Sequence, residues 1–191
     1  MRRVILVRHG QSEHNSRSHA EQSYLSTIRD VDAPLSLIGK QQCEYLGPYL
    51  PSENTVVWTS QLGRAHQTVS AFMELKHAHQ MAELNEFNCH DDETWPAFVE
   101  RVAAMRSVIE RTNFETLVIV GHGQFFNVLL QQMVHPDIPV AKHAVFYTPN
   151  ASMSSVRYSD RWEINTVGFT PYPRTLLVTK FPDLVLSSPV L

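Results

Sequence analysis

The chain has 191 residues, of which 43% are hydrophobic and 18% are charged, and its formal net charge at pH 7 is -3. These values exclude intrinsic disorder, and the lack of a long Lys/Arg run excludes a surface built for nucleic acid or an acidic membrane. No stretch approaches the roughly twenty apolar residues that a membrane helix needs, so we expect one cytoplasmic domain over residues 1–191.

Short apolar runs mark the predicted strands. Residues 4–7, 55–59 and 116–120 are rich in β-branched side chains and show no polar alternation. This pattern is typical of strands covered on both faces in a parallel sheet. Residues 81–84 are a further short strand-like stretch, and residues 151–158 and 161–168 predict a hairpin around Ser159-Asp160. The hairpin would add an antiparallel strand near the C-terminus.

Helical patterns separate these strands. Ser36 can cap a helix to about residue 49, before Pro51, with an apolar face formed by Leu37, Cys43, Leu46 and Leu50. Further helices are predicted over residues 62–75 and 125–134. The clearest amphipathic helix begins near Thr94, and its predicted inward residues are Phe98, Val102, Met105 and Ile109. Strands alternating with helices predict an α/β fold, a three-layer α/β/α sandwich with a mostly parallel sheet.

Polar residues follow the predicted strands at their carboxyl ends, where open parallel sheets bind ligands. Arg8 and His9 follow the first strand, Arg64 lies just after the second, and His122 follows the strand over residues 116–120. The helix after His122 would begin at Gly123 and Gln124, where backbone N–H groups and the helix dipole favour an anion. We therefore expect these residues to form one anion site.

The residue types in this site suit a phosphate ester. A phosphate monoester carries about -1.5 to -2 charges, and the paired donors of Arg8 and Arg64 match its oxygens. A neutral imidazole can attack phosphorus without a metal, which makes His9 the candidate nucleophile. His122 would then donate to the phosphate. No cofactor and no metal are expected.

A carboxylic acid is also needed, because the alcohol leaving group must receive a proton. Glu86 is the candidate acid, while Glu83, Asp91, Asp92 and Glu93 are rivals close in sequence. The adjacent Cys89, His90, Asp91 and Asp92 raise the alternative of a metal site. Neighbouring residues in one loop rarely reach a single ion without distant partners, however, and we rank this alternative far below the acid.

These motifs resemble those of the histidine phosphatase superfamily, specifically its phosphoglycerate mutase-like branch. The resemblance rests on residues 8–15, 34–42, 60–68, 84–86, 93–94 and 121–123, in the order that the family has. It implies that His9 is phosphorylated, that Arg8, Arg64 and His122 form the phosphate pocket, that Asn15 is a further phosphate contact, and that Glu86 is the proton donor. Ser12 and residues 124–126 depart from the family pattern, and these departures affect the substrate side of the pocket.

Three functions remain open at this point. The leading hypothesis is a phosphomonoester phosphatase acting on a small phosphorylated metabolite or a phosphorylated side chain. A mutase is the nearest alternative, although the mutases that the chain resembles carry a long insertion after the acid, for which residues 87–92 leave no room. A non-catalytic module that binds phosphorylated ligands is the third. Two segments are expected at the pocket, namely residues 16–33, with Arg17, Tyr24 and Arg29, and the loop over residues 137–149. The apolar residues of the proline-rich C-terminal segment could contact a partner subunit, so a homodimer is left open.

Overall fold

One six-stranded sheet organises the computed structural model, which describes residues 1–16, 32–87, 89, 93–142 and 146–178. The strands are β1 Arg2–Arg8, β2 Thr55–Ser60, β3 His79–Met81, β4 Thr116–Gly121, β5 Met153–Tyr158 and β6 Trp162–Phe169. Their order across the sheet is β3-β2-β4-β1-β5-β6. The first four are parallel neighbours, whereas β5 runs antiparallel to β1 and β6 antiparallel to β5. The mostly parallel sheet with a C-terminal antiparallel hairpin is confirmed.

Helices connect the strands and cover the sheet. The α-helices are α1 Glu13–Ser16, α2 Leu37–Glu44, α3 Gly63–Val69, α4 Trp95–Arg111 and α5 Gly123–Val134. Short 3₁₀ turns occur at Gly47–Tyr49, Leu75–His77, Ala82–Leu84 and Arg174–Leu176. The prediction for α4 is confirmed, because the Thr94 side chain caps it, and its buried residues are Phe98, Val102, Met105 and Ile109.

Two apolar clusters lie on opposite faces of the sheet. On one face Val4 and Leu6 of β1 join the inward side chains of α4 and α5. On the other face Ile5 and Val7 pack against residues of α2 and α3. Successive side chains of a strand point to opposite faces, so an uninterrupted apolar run supplies both clusters. The predicted three-layer α/β/α arrangement is therefore confirmed.

The helix predicted from Ser36 to about residue 49 is shorter than expected. It ends at Glu44, and a separate 3₁₀ turn follows at Gly47–Tyr49. Pro48 explains the break, because proline lacks an N–H and its ring clashes with the preceding helical turn. The prediction that Leu37 faces inward was wrong, since its side chain is 73% exposed. Leu37 precedes the buried Cys43 by six residues, which places the two side chains about 120° apart around the helix axis.

The other two corrections concern the region around β3. The helix predicted over residues 62–75 ends at Val69, after which tight turns bring Phe72, Met73 and Leu75 against the apolar cluster beneath α3. The strand-like stretch at residues 81–84 proves to be the end of β3 followed by the 3₁₀ turn Ala82–Leu84. In both places packing of apolar side chains, rather than continued periodicity, determines the backbone.

The C-terminal segment packs on the second cluster as far as it is described. Tyr172 is buried, and Leu176 lies against the same cluster. The carbonyl oxygen of Leu176 accepts from the Gln42 side chain of α2 at 2.7 Å. Leu176 therefore packs on the body of the protein, while the apolar residues 184–186 lie outside the described part of the chain.

Gly39 in α2 allows this helix to pass directly over the segment that follows His9. A Cβ at this position would overlap the backbone of Gln11. We expect Gly39→Ala to lower the free energy of unfolding by about 1–3 kcal/mol, although alanine has the higher helix propensity. Gly47→Ala is the matched control, because its Cβ would approach no atom closer than 3.9 Å. Urea denaturation of both variants tests this, and equal stabilities would contradict the close approach.

Candidate active site

Parallel strands end at one edge of the sheet, and the predicted histidines meet there. Arg8 closes β1 beside Gly121 of β4, and the His9 backbone N–H donates to the Gly121 carbonyl oxygen at 2.9 Å. The ring centroids of His9 and His122 are 5.1 Å apart. The two strand ends therefore place both imidazoles within reach of one small ligand.

His9 is held as a neutral imidazole with a defined tautomer. Its Nδ1 lies 2.7 Å from the carbonyl oxygen of Gly10, and since a carbonyl can only accept, Nδ1 carries the proton. Its Nε2 accepts the Nε–H of Arg64 at 3.3 Å. Burial, and then the positive charges of Arg64 and Arg8, hold the pKa of His9 well below its usual range. The lone pair of the neutral ring is therefore on Nε2.

The Arg8 side chain lies against the start of α5 and is oriented by a backbone carbonyl group. Its Nη1 donates to the carbonyl oxygen of Thr148 at 2.6 Å, while its buried Nε has no partner among the described residues. A Cβ on Gly123 would lie 3.1 Å from Arg8 Cζ, so glycine permits this close approach. Burial lowers the pKa of Arg8, and the charge of Glu86 opposes that shift. The guanidinium remains a cation at neutral pH.

Arg64 reaches His9 from the first turn of α3. Its side chain is 11% exposed, and its Nη1 lies 3.9 Å from Oδ1 of Asp32. The same Asp32 oxygen accepts the Gly63 backbone N–H at 2.6 Å. One carboxylate oxygen of Asp32 thus contacts both the first backbone N–H of α3 and the Arg64 side chain. No sequence pattern predicted this contact.

His122 is fully buried at the start of α5. Its Nε2 lies 2.7 Å from Ser60 Oγ at the end of β2, and its Nδ1 has no partner among the described residues. Burial is the main cause that lowers the pKa of His122 well below its usual range, and the positive charges of Arg64 and Arg8 act in the same direction. A buried ring nitrogen without a partner suits a site that binds a polar ligand.

Glu86 lies at the N-terminus of α5, on the same edge. Its Oε2 accepts the Gln124 backbone N–H at 3.2 Å, and its Oε1 accepts those of Phe125 at 3.2 Å and Phe87 at 3.0 Å. The carboxylate therefore engages the Gln124 backbone N–H, which we expected to face the anion. Gln124 is exposed and can contribute to a substrate through its side chain.

Arg101 of α4 fixes the segment that carries Glu86. It donates to the carbonyl oxygens of Glu83 at 2.7 Å and Asn85 at 2.9 Å. It also forms a paired interaction with the Glu93 carboxylate at 2.8 and 2.9 Å. Of the rival acids, Glu83 is exposed and Glu93 is paired with Arg101.

Asn15 borders the same site through a network that includes residues missed in the sequence. Its Oδ1 accepts from Ser12 Oγ at 3.0 Å and from Asn150 Nδ2 at 3.3 Å. Asn150 also donates to the His9 carbonyl oxygen at 3.3 Å, and its own carbonyl accepts from the Tyr172 hydroxyl at 2.6 Å. The Asn15 oxygen is thus engaged within the protein, and the Nδ2 hydrogens are the donors that this side chain can still offer. The only sequence signal for Asn150 was Pro149, which marks a loop.

Several predicted features fall outside the described residues. These are Arg17, Tyr24 and Arg29, His90, Asp91 and Asp92 of the metal alternative, and residues 143–145 of the loop over residues 137–149. Among the residues that are described, no group of three or more His, Cys, Asp or Glu side chains could hold a metal ion. In the same part of the chain, no helix has the length and apolar character needed to span a bilayer.

Together these features define an α/β protein that gathers two histidines and two arginines at the carboxyl edge of a parallel sheet. The family model of the histidine phosphatase superfamily (branch 1) matches residues 4–93 and 77–170. The chain belongs to that superfamily, which confirms the resemblance found in its sequence motifs.

Solved structures share the fold at low sequence identity. The product of the open reading frame Rv3214 from Mycobacterium tuberculosis has a TM-score of 0.69 and 17% identity, covering 90% of this chain and 99% of that one. A mutant phosphoserine phosphatase from Entamoeba histolytica in complex with phosphoserine has a TM-score of 0.68 and 15% identity, with coverages of 89% and 98%. A mycobacterial glucosyl-3-phosphoglycerate phosphatase complexed with VO3 has a TM-score of 0.62 and 20% identity, with coverages of 88% and 100%. No curated protein sequence matches this chain significantly.

Proposed function

We propose that the chain hydrolyses phosphate monoesters through a phosphohistidine formed on His9. The observation that carries this proposal is the neutral His9 ring, whose Nδ1–H is engaged by Gly10 and whose Nε2 lies beside Arg64. A nucleophile needs its lone pair, and the tautomer provides it on the nitrogen next to the cationic group that would bind phosphate.

The proposed reaction has two displacements. In the first, His9 Nε2 attacks phosphorus, the bond to the ester oxygen breaks, and Glu86 gives its proton to the departing alcohol. In the second, Glu86 takes a proton from water, the water oxygen attacks phosphorus, and the N–P bond breaks to release phosphate and neutral His9. Glu86 is protonated before the first step and after the second, so protons and charges balance over one turnover.

Charge stabilisation is assigned to the groups around His9. Arg8 and Arg64 offer guanidinium donors to the three phosphoryl oxygens, and Asn15 Nδ2 adds a neutral donor. These donors are fixed before substrate binds, since Thr148 orients Arg8 and Asn150 orients Asn15. Donors that are already in place cost no reorganisation when charge develops in the transition state.

Hydrolysis is favoured over mutase chemistry by the short connection after the acid. A mutase must retain its dephosphorylated intermediate, which requires additional contacts to the substrate. Residues 87–92 are too few for the insertion that supplies such contacts in the mutases the chain resembles. Phosphoserine and glucosyl-3-phosphoglycerate, named for two of the structural neighbours, support a substrate that is a small phosphorylated metabolite or a phosphorylated side chain.

Phosphate release from an aryl phosphate tests the proposed activity. We expect the purified chain to turn over this ester equally well before and after treatment with a metal chelator. Loss of activity in chelator would contradict metal-independent hydrolysis, and binding of vanadate without turnover of any phosphate ester would identify a binding module instead. With phosphoglycerate, phosphoryl transfer that exceeds phosphate release would identify a mutase.

A further inference from the structure

The buried contacts behind His122 define its tautomer. The Gln61 backbone N–H donates to Asn85 Oδ1 at 2.9 Å, which fixes the orientation of that amide because only its oxygen can accept. Ser60 Oγ lies 2.8 Å from the same Oδ1 and must donate its single hydrogen to it. The Leu62 backbone N–H in turn donates to Ser60 Oγ at 3.1 Å.

His122 Nε2 is 2.7 Å from Ser60 Oγ, and the Ser60 hydrogen is already engaged. His122 must therefore donate from Nε2, since a serine hydroxyl has one hydrogen and accepts through its lone pairs. A neutral ring protonated on Nε2 has its lone pair on Nδ1. That Nδ1 is buried without a partner among the described residues, on the ring that lies beside His9.

We propose that Ser60 and Asn85 are positioning residues that hold His122 in the Nε2–H tautomer, so that a phosphate monoester dianion enters the site only with uptake of one proton at Nδ1. The inference rests on the proposed function, because it takes the site to bind phosphate. The terminal oxygens of a phosphate monoester dianion and the imidazole lone pair are all acceptors, and they repel each other until a proton lies between them.

The groups around His122 decide how this proton is held. They are His9 and Arg8 at the end of β1, Arg64 from α3, Arg101 from α4 and the Glu86 carboxylate at the start of α5. Burial and the cations lower the pKa of His122 in the empty site, which keeps the ring neutral at pH 7 to 8. The charge of a bound phosphate dianion offsets those cations, so the proton is taken up with the ligand.

Calorimetry of phenyl phosphate binding at pH 8, in two buffers that differ in ionisation enthalpy, counts this proton, because the ester dianion has no O–H that could donate to Nδ1. His9→Ala is the background, because it removes the other imidazole that could be protonated beside phosphate. We expect uptake of close to one proton per phosphate in His9→Ala. Adding Ser60→Ala frees His122 to carry its neutral proton on Nδ1, and uptake should fall below half a proton. Adding Ser70→Ala, a serine outside the site at the end of α3, should leave the count unchanged.

Nitrogen NMR of histidine-labelled protein reports the tautomer of His122 directly, with Ser60 and Asn85 unchanged. The His122 resonances, identified by their loss in His122→Asn, should show only Nε2 protonated in the empty site and both nitrogens protonated when His9→Ala holds phenyl phosphate. Binding of phenyl phosphate without proton uptake, or equal uptake with and without Ser60, would overturn this inference while leaving the phosphate site intact. Failure of the wild-type protein to bind phosphate would overturn the proposed function as well.

Discussion

His9→Ala is expected to lower turnover of phosphate esters by roughly 10⁴- to 10⁶-fold, the scale on which removal of a covalent nucleophile acts in other enzymes. The loss should appear in kcat, because Arg8, Arg64 and Asn15 remain to bind the phosphoryl group. Initial rates of phosphate release measure it, and phosphate or vanadate binding by the same variant shows that the site is still formed.

His79→Ala is the matched control for this substitution. His79 is an exposed histidine on the edge strand β3. Its replacement removes an imidazole that lies outside the candidate active site. We expect its activity to equal that of the wild type. A His9→Ala protein that folds, binds phosphate and retains activity within tenfold of the wild type would remove His9 from the mechanism.

Glu86→Gln is expected to lower kcat by roughly 10²- to 10⁴-fold on alkyl phosphates, which need a proton on the departing alcohol. On an aryl phosphate the first displacement should be much less affected, since a phenolate leaves without protonation. Glutamine keeps the length of the side chain and one oxygen to accept from Phe125 or Gln124 at the start of α5. Comparing the first displacement for alkyl and aryl esters in rapid-mixing experiments separates acid catalysis from helix capping.

Glu83→Gln is the control, because Glu83 lies close to Glu86 in sequence but is exposed. We expect its rates to match those of the wild type with both esters. An equal loss in Glu86→Gln with alkyl and aryl esters would mean that the carboxylate serves only to hold the start of α5, and the proton would have to come from another group.

The sequence predicts those parts of the molecule that depend on local patterns. The apolar runs of β1, β2 and β4 identify buried parallel strands, and the carboxyl ends of such strands meet, so Arg8, His9 and His122 could be placed together. The cap at Thr94 and the spacing of Phe98, Val102, Met105 and Ile109 were enough for α4. Leu37 was misplaced because apolar spacing at a helix end does not show which side meets the sheet.

Long-range polar contacts are the parts that the sequence does not reveal. Asn150 reaches the His9 carbonyl across 141 positions of the chain, and no periodicity relates the two. Asn85 is one residue before the predicted acid, yet its role depends on the amide of Gln61 after β2. Glu86 was predicted as an acid, but its contacts with the amides of α5 follow from how the loop folds. Such contacts require the assembled fold.

Trapping the phosphorylated enzyme tests the central claim most directly. In Glu86→Gln, an aryl phosphate should still phosphorylate His9, whereas hydrolysis lacks its base, so the intermediate accumulates. The variant is mixed with labelled aryl phosphate and the reaction is then quenched rapidly. We expect close to one phosphoryl group per chain on the peptide that contains His9, and this group should be stable in alkali and lost in acid. The label should be absent from the double variant His9→Ala with Glu86→Gln. Two results would contradict a phosphohistidine on His9: a phosphoryl group on another residue, or turnover of the ester without any labelled enzyme, which would mean direct transfer to water.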